Sequence, residues 1–272
     1  MNLGGTLVSL ETPRVMGILN ITPDSFYAHS RVGTEDDVLR RAEQQVREGA
    51  FFLDIGGYSS RPDAEDIDEE AELQRVVPAI EAVSREFPEV YISVDTFRAR
   101  VAREAVGAGA HVINDISGGQ LDEAMFDTVA GLGVPYILMH MRGTPQSMKN
   151  LTEYENLLTE LGFYFQDRVK QLRALGVKDI ILDPGFGFAK TVAQNFEILR
   201  NLHYFIGIGE PILVGVSRKS MVWRTLDISP EEALNGTTVL NTLAVQQGAS
   251  ILRVHDVRQA IETITLVKQT NG

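Results

Sequence analysis

An α/β fold of the (β/α)8 (TIM) barrel type, with a short N-terminal hairpin, is predicted by three features of this 272-residue chain. Eight short, near-continuously apolar runs read as strands buried on both faces. Longer amphipathic segments alternate with them. Almost every apolar run ends on a polar or charged residue, as strands do when their C-terminal ends form a working face. Eight β-then-α units in about 250 residues fill one barrel, read here as a single domain over 1–272. A doubly wound open sheet is the alternative.

In chain order, the residues before Pro13 read as a small hairpin that plugs the bottom of the barrel. The first strand, Val15–Leu19, stops at Asn20 and opens into Ile21-Thr-Pro-Asp-Ser-Phe26, residue types that favour turns. The helix Glu35–Glu48 closes on Gly49, and the strand Phe51–Ile55 carries Asp54. The polar loop Ser59-Ser60-Arg61-Pro62 precedes a long helix, Asp68–Glu86, which Pro78 is expected to kink or divide. The strand Tyr91–Val94 ends at Asp95, itself a candidate N-cap for the helix Phe97–Val106 before Gly107. His111–Asn114 is followed by the helix Asp122–Ala130 and Gly131. Tyr136–Met139 leads to His140 and the long insert Thr152–Leu175, closed by Gly176. Glycines at these four helix ends read as left-handed caps. Ile180–Leu182 ends at Asp183-Pro-Gly-Phe-Gly-Phe188, then the helix Thr191–Asn201. Ile212–Val214 leads into Ser217-Arg-Lys-Ser220, which opens a helix, and Pro230–Gln247 follows. The last strand, Ser250–Arg253, precedes His255 and the helix Asp256–Lys268.

Composition bounds the function. Apolar residues make up 44% and charged residues 23%, enough for a sizeable core. No apolar run reaches the ~18 residues of a membrane span, and the N-terminus lacks the pattern of a signal peptide. The chain has no cysteine, so it has neither a disulfide framework nor a thiolate metal site, and a cytoplasmic location fits. A formal charge of −12 argues against nucleic acid and membrane partners. Phosphate binding therefore needs local cations.

Those cations stand at the strand ends. Ser217-Arg-Lys-Ser220 offers a helix N-terminus together with Lys219, a cradle for a carboxylate or phosphate. Alternation puts Arg253 and His255 on one face. Asp54, Asp95 and Asp183 converge on the same mouth, and three buried carboxylates there need a ligand or cations. Asp54 could instead pair with a barrel neighbour, and His140 and His111 read as satisfied core histidines. Gly185 and Gly187 alternate with Phe186 and Phe188, which allows close backbone approach beside aromatic surface. Carboxylates and amides over such a floor suit a flat nitrogen heterocycle with parallel N–H donors. These residues describe a barrel enzyme joining such a ring to a phosphate and a carboxylate, without naming the reaction.

Seven segments then closely resemble the dihydropteroate synthase family: Gly17-Ile-Leu-Asn20-Ile-Thr-Pro-Asp-Ser-Phe26, Ser59-Ser-Arg-Pro62, Ser93-Val-Asp95-Thr, Ile113-Asn114-Asp115-Ile-Ser, Asp183-Pro-Gly-Phe-Gly-Phe188, Ser217-Arg-Lys-Ser220 and Arg253-Val-His-Asp256. The resemblance implies condensation of a dihydropterin pyrophosphate with 4-aminobenzoate, releasing pyrophosphate. It implies that Asp95, Asn114, Asp183 and Lys219 hold the pterin, with Met139 packed against it. Asn20, Arg253 and His255 would hold the pyrophosphate, with Asn20 also reaching Mg²⁺. Ser220 would take the aminobenzoate carboxylate, Phe26, Phe188 and Pro62 would wall its ring, and Asp54 would support the site. The Ser60–Arg61 loop and the backbone at Gly187 complete the expected substrate contacts. Cleavage of the C–O bond can lead, because the pterin nitrogens stabilise a cationic methylene; no covalent enzyme intermediate is required. The resemblance also implies a homodimer, built on apolar surface around Trp223 and Val239–Val245.

Two segments depart from the family pattern. Tyr58 and Ser60 replace the usual glutamate and threonine of the second loop, and Tyr27-Ala-His-Ser30 replaces the usual Ser-Asp-Gly-Gly. Aminobenzoate affinity and the response to sulfonamide mimics are the properties these changes touch. The competing readings are a pterin-binding methyltransferase acting on a corrinoid partner, and a non-catalytic pterin-binding paralogue.

Overall fold

The computed structural model describes residues 1–21, 31–58 and 67–270. Strands β1 (Asn2–Leu3) and β2 (Thr6–Leu7) pair antiparallel as a hairpin. The eight that follow are β3 (Arg14–Asn20), β4 (Phe52–Gly56), β5 (Tyr91–Asp95), β6 (Val112–Asp115), β7 (Tyr136–Met139), β8 (Ile180–Asp183), β9 (Leu213–Val214) and β10 (Ile251–Val254). All eight are parallel, in the order β8-β7-β6-β5-β4-β3-β10-β9. A parallel bridge between Leu182 and Ile212 joins β8 to β9 and closes the ring. The barrel is therefore the predicted one, and the open sheet is excluded.

The helices between them are α1 (Arg31–Arg47), α2 (Glu69–Glu86), α3 (Ala99–Gly107), α4 (Met125–Leu132), α5 (Leu157–Ala174), α6 (Val192–Arg200), α7 (Ser220–Leu226), α8 (Leu234–Gln246) and α9 (Val257–Thr270). Outward strand residues such as Val15, Leu53, Val94, Ile113, Leu138, Leu182 and Leu252 pack under them in one continuous core. The inward residues are layered. Met16, Phe52, Val112, Ile137, Ile181, Leu213 and Ile251 form a separate apolar cluster around Leu3 of the hairpin, with Tyr91 beside it. Every barrel strand thus contributes to a plug at the bottom, and Leu3 completes it.

Some boundaries differ from the sequence reading. Helix α2 runs unbroken through Pro78, and burial of Leu73, Val76, Ile80 and Val83 holds it across the missing N–H. Gly107 and Gly131 lie inside helices α3 and α4 and do not cap them. The left-handed positions fall two residues later, at Gly109 (φ 120°) and Gly133 (φ 67°). The glycine that matches the helix end is set by the tertiary path of the chain, which local sequence does not encode. Gly49 and Gly176 do take positive φ, as expected.

Candidate active site

Side chains alternate along a strand, so the residue two beyond the plug also faces inward. That step leads from Phe52 to Asp54, from Val112 to Asn114, from Ile137 to Met139, from Ile181 to Asp183 and from Ile251 to Arg253. On β5 the inward positions are Ser93 and Asp95, and Asp95 pairs in register with Asn114. An apolar tier is thus overlaid by a polar one at the C-terminal ends of the strands.

Arg253 organises this tier. Its Nε donates to Asp54 Oδ2 at 2.6 Å and its Nη2 to Asp95 Oδ2 at 2.7 Å. Asn114 Nδ2 donates to the same Asp54 oxygen at 3.0 Å. Asp54 is fully buried, so this ion pair sits out of water. Asp95 does not cap α3: the cap residue is Arg98, without a side-chain cap bond, and Ala99 N–H goes to Asp122 Oδ2 at 2.7 Å. Burial, then Asp54 and other carboxylates, push Asp95 up to about 7 against the pull of Arg253. Burial alone would weaken Arg253 as a base, but Asp54 and Asp95 outweigh it and hold the guanidinium charged. Three buried acceptors here, Asp54 Oδ1, Asn114 Oδ1 and Ser93 Oγ, have no partner among the described residues. Such atoms call for a ligand or water carrying N–H or O–H donors.

Asp183, at the end of β8, accepts from Gly185 N–H at 2.8 Å, and burial raises its pKa while Lys219 opposes. Lys219 Nζ donates to the Phe186 carbonyl and lies 4.9 Å from the centre of the Phe188 ring. Burial lowers Lys219 to about 8, with Asp183 pulling the other way. Gly185 (φ 71°) cannot be replaced without strain, because a Cβ there would run into the His140 carbonyl oxygen. Met139 and Phe188 belong to an apolar cluster with Ile116, Met141, Met148 and Ala189, a greasy wall beside the polar tier.

At the rim, Ser217 Oγ and His255 Nδ1 are 3.0 Å apart. His255 as a whole is exposed; partial withdrawal from water, then Arg253, lower its pKa, so the free imidazole is neutral near pH 7. Arg218 is not an open cation. It makes a two-pronged ion pair with Asp256 at 2.9 and 2.8 Å and also donates to the Pro230 and Glu231 carbonyls. Within the basic turn that leaves Lys219 facing the mouth and Ser220, half-buried, as the first residue of α7. Asn20 ends β3 exposed. Phe26, Ser60, Arg61 and Pro62, with Ser59 and Tyr27–Ser30, lie outside the described residues. Tyr58 packs edge-on against Phe97 with centroids 5.0 Å apart, and its hydroxyl accepts from Gln146 Nε2 at 3.0 Å.

Two residues of the neighbourhood were not singled out from sequence. Asp115 is buried scaffolding: it accepts from Ser117 N–H and Oγ, Gly119 N–H and the Tyr136 hydroxyl, all within 2.8 Å. Lys190 is buried behind the Gly185–Phe188 turn, and its partners include His140, which is thereby a satisfied core histidine. Its sequence signal was available: a lysine just before the helix N-cap Thr191 opposes the helix dipole, so it must serve something else.

A family model described as pterin binding enzyme matches residues 16–255. Dihydropteroate synthase of Escherichia coli is 40% identical over 269 residues, covering 98% of this chain and 94% of that protein. The crystal structure of the Yersinia pestis dihydropteroate synthase with a sulfonamide drug superposes with a TM-score of 0.93 at 40% identity, covering 100% and 98% of the two chains. The Xanthomonas albilineans dihydropteroate synthase with 4-aminobenzoic acid gives 0.91 at 36% identity, covering 99% and 97%.

Proposed function

The chain belongs to the pterin binding enzyme family and to the dihydropteroate synthases within it, and from that premise we propose how its barrel mouth performs their reaction. The reaction joins 6-hydroxymethyl-7,8-dihydropterin pyrophosphate to 4-aminobenzoate, giving 7,8-dihydropteroate and pyrophosphate. The relatives reported are synthases, which favours this activity over the methyltransferase reading.

The observation that carries the residue assignment is the set of buried acceptors in the polar tier, Asp54 Oδ1, Asn114 Oδ1 and Ser93 Oγ, that have no partner among the described residues. The amino-pyrimidine edge of a pterin supplies parallel N–H donors to such acceptors. Asp183 and Asn114 hold that edge, Met139 packs against the ring, and Lys219 sits over Phe188 where an acceptor on the ligand would meet its ammonium. Asp95 lies on the same wall, and its carboxylate favours positive charge developing on the ring as the C–O bond lengthens. Asp54 holds Arg253 in place. The exposed edge of the Arg253–His255 segment receives pyrophosphate; an arriving anion raises the pKa of the neutral His255 and lets it donate. Ser220 meets the aminobenzoate carboxylate. Phe188 walls the aminobenzoate ring, and Phe26, Pro62, Ser60 and Arg61 complete that side in this reading.

The described residues suit magnesium carried in by the substrate. Among the described residues no three His, Asp or Glu side chains gather to hold a metal. Mg²⁺ on phosphate oxygens keeps most of its waters and needs only one or two protein oxygens. The Asn20 carboxamide offers one, at an exposed strand end with no side-chain hydrogen bond to another described residue. When bound, the ion neutralises charge on the departing pyrophosphate.

Asp183→Asn is the direct test of the pterin assignment. The substitution swaps an acceptor for a donor against the same ligand edge, so the Kd for dihydropterin pyrophosphate is expected to rise about 100-fold, read by calorimetry. An unchanged Kd would move the pterin elsewhere.

A homodimer belongs to the same reading. Val239 and Leu243 lie on one exposed face of α8, and Leu226 at the end of α7 is exposed too, although Trp223 is half-buried. Light scattering is expected to give twice the chain mass for the wild type and a monomer for Val239→Glu with Leu243→Glu. A wild-type monomer at micromolar concentration would remove the dimer.

A further inference from the structure

We propose that Lys190 is a positioning residue for the condensation: it pins the Gly185–Phe188 turn to the end of β7, so that Asp183 and Phe188 face the substrate while Lys219 is free to serve it. The proposal rests on the functional reading above, but it assigns a residue that touches no substrate in that reading.

Lys190 Nζ lies 3.0 Å from His140 Nδ1 and 3.3 Å from the His140 carbonyl oxygen, just past β7. It lies 3.1 Å from the Gly185 carbonyl and 2.9 Å from that of Phe188, the two ends of the turn. Four acceptors from two segments converge on one buried nitrogen, and only an ammonium has three N–H bonds to offer them. Other polar atoms of the turn are held separately. Gly185 N–H bonds Asp183, Gly187 N–H bonds Asn195 Oδ1 at 2.7 Å, and the Phe186 carbonyl takes Lys219. When Lys219 turns to a ligand, it releases one carbonyl of the turn. The Gly185 and Phe188 carbonyls stay fixed by Lys190. Two lysines thus divide the work: one rigid and buried behind the turn, one at the mouth. Burying a cation just ahead of a helix N-terminus is unfavourable both by desolvation and by the helix dipole, and the four-acceptor cage is what offsets it.

Lys190→Met keeps the length of the side chain and removes every donor. Asp183 contacts the pterin in the ground state as well as in the transition state, so its misplacement weakens uniform binding. The expected result is a KM for dihydropterin pyrophosphate raised about tenfold with kcat within about threefold of wild type, and a parallel rise in calorimetric Kd. A lowered Tm with unchanged KM and Kd would reduce Lys190 to a structural residue and overturn the proposal, as would a loss confined to kcat. Should Lys190→Met fail to fold, Lys190→Gln removes the charge but keeps an NH2 donor for some of the same acceptors. A KM raised about threefold is expected; an unchanged KM and Kd in the folded variant overturn the proposal. Wild type is run alongside. Wild type that binds the pterin but makes no product refutes the functional reading, and the Kd comparison still decides Lys190.

Discussion

Arg253→Met is expected to lose about 3–5 kcal/mol of stability together with nearly all activity. Among the described residues Arg253 is the cation bonded to both Asp54 and Asp95, and Asp54 is fully buried. Methionine preserves much of the volume but leaves two carboxylates facing each other in the barrel interior. Among the described residues the remaining direct partner of Asp54 Oδ2 is the Asn114 amide. One carboxylate must then stay protonated or the site must open to water. The sign of the pH dependence follows. Asp95 already has a folded pKa raised above its unfolded value, to about 7. Its contribution is full below the unfolded pKa and is lost as pH rises through about 7. Without Arg253 the Asp95 pKa rises further, so the deficit against wild type should be smaller at pH 5 than at pH 8. Urea unfolding of both proteins at the two pH values checks this, and a deficit independent of pH would mean that Asp95 does not titrate as described.

Lys219→Ala is expected to cut kcat/KM by about 10²–10³-fold while leaving Tm nearly unchanged. The ammonium sits between Asp183 and the Phe188 ring, at the meeting point of the two substrates in the proposed site. Stability barely changes because the lysine itself is poorly solvated, and alanine relieves that cost while giving up its bond to the Phe186 carbonyl. The wild-type kcat/KM should fall as pH rises through about 8, where the free enzyme loses the charge on Lys219. That alkaline limb should be missing from the variant. A profile unchanged in shape would assign the limb to another group.

The barrel and its polar mouth were legible in the sequence because strand periodicity and strand ends are local signals. Asp54, Asp95, Asn114, Asp183, Lys219 and Arg253 could be read off as end residues, and the ring of strands brings them together. Partnerships across the barrel were not legible. Arg253 reaches Asp54 and Asp95 from the opposite end of the chain, so a residue expected to meet pyrophosphate also neutralises carboxylates. Arg218 read as part of an anion cradle because its partner, Asp256, lies 38 positions away. Lys190 was passed over for a related reason: its acceptors are backbone carbonyls, which carry no residue-type signature. The glycine caps of α3 and α4 were misplaced by two residues because several glycines compete at each helix end and packing chooses among them.

Pyrophosphate release from dihydropterin pyrophosphate, followed with and without 4-aminobenzoate in the presence of Mg²⁺, tests the account most directly. Wild type should release pyrophosphate in step with dihydropteroate formation, at a rate that depends on 4-aminobenzoate, and Lys219→Ala should lose most of that rate. Pterin binding without release, or release at the same rate in wild type and Lys219→Ala, would contradict the assignment of the condensation to this end of the barrel.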